Sequence, residues 1–96
     1  MYVGVVVGSV VATTKEDDLV GKKLLIVQKV HPSKGTAVDN RMEVAVDNVG
    51  AGTGEHVLVT TGGAARNVFG SSVSVIDAAI VAIVDSMEVN EQGSEA

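Results

Sequence analysis

Ninety-six residues without a cysteine, with a net charge of −5 and a content 46% hydrophobic but only 2% aromatic, make one small aliphatic domain. That composition excludes a disulfide framework and a cysteine-based zinc site, so the chain needs no oxidising compartment. The longest apolar run, Ala78–Val84, is far short of the roughly 20 residues that span a bilayer, and the opening Met1-Tyr2-Val3-Gly4 lacks the basic leader of a signal peptide. A cytoplasmic domain is expected, with a modest core that partners often complete, because a chain this short buries about 60–65% of its unfolded surface.

β-Branched residues lose χ1 freedom in helices and pack well on pleated sheets, so the abundance of valine favours strands. The first candidate, Val3–Val11, is long enough to cross a small barrel, and Gly4 and Gly8 within it mark bends or close backbone approach. Thr13–Gly21, with Lys15-Glu16-Asp17-Asp18, reads as a solvated loop. Lys23–Val30 is a second strand, after which His31-Pro32-Ser33-Lys34-Gly35 turns the chain. Glu43–Asp47 is a short third strand with acidic ends, followed by the glycine-rich stretch Asn48–Gly54. Val57–Thr61 is a fourth; Gly62-Gly63 breaks it, and Ala64–Val68 forms one helical turn. Ser71–Val75 is ambiguous.

The segment Ile76–Met87 supports two readings. Ile76, Ile80, Ile83, Val84 and Met87 fit helical spacing, with Asp77 and Asp85 on other faces. Its Ile and Val content and flanking serines fit a strand, and the strand is favoured. The tail Glu88–Ala96 carries three glutamates and little to bury, and is expected to be mobile beyond Asn90. Short strands with glycine-rich connections predict an all-β fold, a small closed barrel or a sandwich, and a partly open five-stranded OB-like barrel fits five strands with one short helical insert. The barrel domain is expected over residues 1–88, with an acidic tail over 89–96.

Gly50-Ala51-Gly52-Thr53-Gly54-Glu55 is the sharpest local feature. It is no dinucleotide fingerprint: the spacing is G-x-G-x-G, a strand follows in place of a helix, and Glu55 puts negative charge where a pyrophosphate belongs. A P-loop is absent. The stretch reads instead as a loop that needs positive φ or close backbone approach, one that lets another chain come near while Glu55 accepts hydrogen bonds from exposed N–H groups. His31 and His56 lack a second ligand at helical or hairpin spacing, so they read as surface or turn residues. Asp47, Asp77 and Asp85 sit at strand ends, where aspartates bond nearby backbone N–H groups. Arg66 can pair with a carboxylate across a subunit boundary, or be plainly solvated. No serine lies in G-x-S-x-G, which leaves an enzyme reading little to stand on. Neither a cofactor nor a metal is expected.

OB-type barrels often bind single-stranded nucleic acid, through a basic groove and aromatic platforms. Here the charge is negative and the aromatics are Tyr2 and Phe69, so both requirements fail.

Several ordered blocks resemble one known family, the EutN/CcmL vertex proteins of bacterial microcompartments. Val5-Val6-Val7-Gly8-Ser9-Val10-Val11-Ala12-Thr13 with Lys15 is similar to the family's opening, and Lys23–Gln28 to its second strand. Val44–Asp47, Val49–Glu55 and Val57–Val59 resemble its most diagnostic block; Gly62, Ala65 and Arg66 match G-x-x-A-R, and Asp77–Asp85 looks like its closing strand. The resemblance implies a five-stranded OB-like barrel, a strand over Ile80–Met87, and a ring of five subunits. It further implies a structural, non-enzymatic role, capping the vertices of a shell whose facets are hexameric proteins, without nucleic acid or membrane as partner. A five-fold ring needs a heterologous interface. Gly50, Ala51, Gly52, Gly54, Glu55 and Arg66 are the residues expected there.

Overall fold

Alternation of inward and outward side chains along short valine-rich segments produces five strands that close on one another. The computed structural model describes residues 1–13, 19–68 and 76–89. Its elements are β1 (Tyr2–Val10), β2 (Leu24–Val30), β3 (Ala37–Asp47), β4 (His56–Thr61), α1 (Gly62–Val68) and β5 (Ala78–Ile83). The strands form a closed barrel in the order β1-β2-β3-β5-β4. Every pairing is antiparallel except β3 with β5. Closure removes the free sheet edges that would otherwise recruit other strands.

The barrel interior is filled by Val6, Leu25, Val27, Ala45, Val57, Val59 and Ile80, all buried. It is aliphatic and thin, as the composition requires. Gly4 belongs to the inward row of β1, where a Cβ would lie 2.3 Å from Val27 Cγ1 and 2.9 Å from the Gln28 carbonyl oxygen. Only glycine fits there. A second cluster sits on the outside of the wall: Val46 and Ala79, cross-strand partners on β3 and β5, pack with Ala65 of α1 and with Ile76, flanked by Leu19, Leu24 and Val68. The helix is therefore a lid on one sector of the barrel's outer surface.

The final segment is a strand over Ala78–Ile83, which ends before the expected Met87. Its helix-like spacing has a local cause. Ile80 lies opposite Val59 and Ile83 opposite Val57, with a register shift between Leu58 and Val59. A bulge thus inserts one extra residue and sets two inward side chains three apart instead of two.

Two boundaries differ from the sequence expectation. The third strand starts at Ala37, not Glu43, and runs for 11 residues. Its first half pairs with β2, Ala37 opposite Val30 and Met42 opposite Gln28, where Gln28 Nε2 donates to the Val38 carbonyl at 2.7 Å. Asp39, Arg41 and Met42 stay exposed, so no apolar alternation announces this half. The helix takes in Gly62 and Gly63 and spans seven residues, not one turn; the Gly62 N–H donates to the Asp77 carbonyl at 2.8 Å, which ties its start to the entry of β5. The expectations for Lys15–Asp18, Ser71–Val75 and the tail beyond Val89 fall outside the described residues.

Candidate functional site

The glycine-rich stretch leaves β3 at Asp47 and enters β4 at His56. Asp47 shapes it. Its carboxylate accepts the N–H groups of Val49 at 3.1 Å, Gly50 at 2.9 Å and Ala51 at 3.1 Å, the strand-end role read from the sequence. Lys23 Nζ donates to the Ala51 carbonyl at 2.7 Å, fastening the loop to the start of β2. Gly50 and Gly54 have φ of 85° and 91°, left-handed values that favour glycine. Glu55 Oε1 accepts the Gly52 N–H at 2.7 Å, so one carboxylate oxygen braces its own loop. The Gly54 N–H donates to the Val6 carbonyl and the Val6 N–H to the Glu55 carbonyl, at 2.8 and 3.0 Å, carrying the β1 pairing into the loop.

The six residues expected at a boundary between subunits do not all lie in one place. Gly50, Gly54 and Glu55 are exposed on this loop and Gly52 is half-buried, whereas Ala51 is fully enclosed in the barrel's own core. Arg66 stands apart, half-buried in the last turn of α1. His31 is exposed in the turn after β2 and His56 is half-buried at the start of β4. Among the described residues no three His, Asp or Glu side chains gather as a metal site would require, and no helix is long and apolar enough to cross a membrane.

A second constellation closes one mouth of the barrel, and the sequence reading missed it. Tyr2, Lys29 and Glu43 continue the inward rows of β1, β2 and β3, since Gly4 pairs with Lys29 and Val27 with Glu43. The Tyr2 ring packs on the core and its hydroxyl donates to Glu43 Oε1. Lys29 Nζ lies 5.4 Å from the ring centroid, within cation–π range. With Arg41 and Met42 these residues line a cavity of about 220 Å³. Burial of the phenol, and then the adjoining Glu43 carboxylate, raise the Tyr2 pKa well above its ordinary value. The available signal was the alternation Tyr2, Gly4, Val6, which puts Tyr2 on the inner face.

Comparison with known proteins bears on this architecture directly. The sequence profile of the family described as "Ethanolamine utilisation protein EutN/carboxysome" matches residues 1–85. The bacterial microcompartment shell vertex protein GrpN of Rhodospirillum rubrum is 48% identical over 88 residues, covering 92% of this chain and 97% of GrpN. The carboxysome shell vertex protein CcmL of a Nostoc species is 43% identical over 93 residues, covering 96% and 90%. Among solved structures, the GrpN pentameric microcompartment shell protein superposes with a TM-score of 0.81 at 47% identity, over 94% of this chain and 99% of that one.

Proposed function

Because this chain belongs to the EutN/CcmL family, we propose that it is a structural subunit which forms a ring of five and caps the vertices of a bacterial microcompartment. The observation that carries this reading is the full-length likeness to GrpN, a pentameric shell protein, in both sequence and fold. Hexameric shell proteins are its neighbours in this reading, and the shell inside the bacterial cytoplasm is its place of work. The geometry behind the role is simple: a flat hexagonal sheet closes into a polyhedron only where pentagons introduce curvature. The chain acts by shape and adhesion, not by catalysis, a reading supported by relatives that are shell vertex proteins. Residues 1–88 are the barrel domain and 89–96 an acidic extension.

The braced loop is one side of the heterologous contact in this proposal. Gly50, Gly52, Gly54 and Glu55 present it, Ala51 anchors it to the core, and Arg66 contributes from α1. Asp47 and Lys23 hold it in one shape before any neighbour arrives, which lowers the ordering cost of association. Gly52 is the position to test, because a Cβ there meets only Glu55 Oε1, at 3.6 Å, and the fold tolerates it. Native mass spectrometry of the chain and of Gly52→Val reads the outcome. A five-subunit species that weakens in the variant supports the proposal; an undiminished ring in the variant removes the loop from the interface.

A further inference from the structure

The β2–β3 hairpin departs from a regular ladder at one place. Gln28 pairs with Met42 and Val30 with Ala37, so a single β2 residue, Lys29, lies opposite four β3 residues, 38–41. An excess of this kind re-aims side chains and is frequent beside functional sites. The Gln28 side chain makes good the interrupted bonding. Its Nε2 donates to the carbonyls of Val38 at 2.7 Å and Lys29 at 2.9 Å, with the Arg41 carbonyl at 3.4 Å. The backbone that carries Lys29 and Arg41 is thereby tied across both strands.

These two cations meet at the cavity of about 220 Å³ in the barrel mouth, where Tyr2, Met42 and Glu43 are the other walls. In a chain of net charge −5 acidic partners are plentiful, yet among the described residues neither Lys29 nor Arg41 forms an ion pair. Glu43 lines the same cavity and pairs with neither; its Oε1 accepts the Tyr2 hydroxyl, and Lys29 Nζ rests over the Tyr2 ring. Lys29, Arg41 and Glu43 are all exposed, so an occupant has open access to them.

We infer that this cavity is a binding site for a small protonated oxyanion, of which hydrogenphosphate is the representative, held by Lys29 and Arg41 and read by Glu43. The planar fork of arginine and the lysine ammonium both suit phosphate oxygens, and such charge-assisted hydrogen bonds are about twice as strong as neutral ones. The carboxylate beside the two cations selects the protonation state of the occupant. An oxyanion that keeps an O–H donates to Glu43 Oε2, because Oε1 is taken by Tyr2. A fully deprotonated one, such as sulfate, meets only repulsion there. Sites for drug-sized molecules measure roughly 300–1,000 Å³, so this smaller cavity suits a small occupant. The inference stands on the hairpin and the cavity, and not on the ring reading.

Isothermal titration calorimetry of the full chain at neutral pH and constant ionic strength tests the assignment, with inorganic phosphate as the probe and sulfate as the comparison. Lys29→Gln and Arg41→Gln each remove one cation from an exposed side chain. Lys34→Gln removes the same charge from the exposed turn after β2, outside the cavity, and is the control. The expected result is saturable phosphate binding in the unsubstituted chain and the control, weakened at least tenfold in both cavity variants. Sulfate is expected to bind more weakly than phosphate, and Glu43→Gln, whose amide can donate to sulfate, is expected to abolish that preference. Circular dichroism checks the barrel, and either cation variant decides the outcome if the other does not fold. No saturable phosphate binding, sulfate bound as tightly as phosphate, a preference that survives Glu43→Gln, or an equal loss in Lys34→Gln would overturn the assignment.

Discussion

At the scale of single residues, two positions in the barrel do work that residue type alone explains. Gly4 leaves room for the Val27 side chain beside β1, and a methyl group at that point overlaps both Val27 and the Gln28 backbone. Gly4→Ala is therefore expected to destabilise the fold by about 1–3 kcal/mol, the usual cost of overpacking, visible as a lower midpoint in thermal unfolding. Tyr2 closes the barrel mouth as a neutral phenol bonded to Glu43. Its folded pKa lies above the ordinary 10.0, so the stability tied to that proton is fully present below pH 10.0 and is lost as pH rises through the folded value. Tyr2→Phe carries no such proton. Thermal melts at about pH 8 and about pH 11 are expected to show the stability advantage of tyrosine over phenylalanine shrinking at the higher pH; an advantage that grows would contradict the assignment. His31 is the exposed turn residue the sequence implied, whereas His56, read as a surface or turn residue, is the half-buried first residue of β4.

At the scale of elements, much of the fold was legible. Five runs of Val, Ile and Leu mark five strands, and the glycine loop's need for positive φ is met at Gly50 and Gly54. What escaped has physical causes. The first half of β3 is polar because it lies against β2 with its side chains in solvent, so neither alternation nor hydrophobicity marks it. The Ile80–Ile83 spacing imitates a helix because a bulge spaces inward strand residues three apart. Contacts across long stretches of chain, Tyr2 with Glu43 and Lys23 with Ala51, depend on closure and register, which no local pattern encodes. Of the candidate site, the glycines, the turn role of Asp47 and the helical place of Arg66 could be read directly; the burial of Ala51 could not. Asp47 is the keystone of the loop. Asp47→Ala leaves three N–H groups without their acceptor and is expected to cost about 1–2 kcal/mol. Hydrogen exchange is expected to show faster exchange confined to residues 49–51, while the β2–β3 amides keep their protection.

At the scale of the whole molecule, an aliphatic barrel poor in aromatics is a thin core, and its outer wall continues that aliphatic character beyond what α1 covers. A net charge of −5 and an aromatic content of 2% weigh against the nucleic-acid task common among OB-type barrels, and the spare apolar surface fits a chain that finishes its burial against copies of itself. The likeness to GrpN and CcmL covers nearly the full length of each partner, so the resemblance concerns the whole domain and not one motif. The mass of the unsubstituted chain in solution tests this account most directly. Native mass spectrometry is expected to give a species five times the 9.8 kDa of one chain; a protein that stays monomeric or dimeric across the concentration range would contradict it.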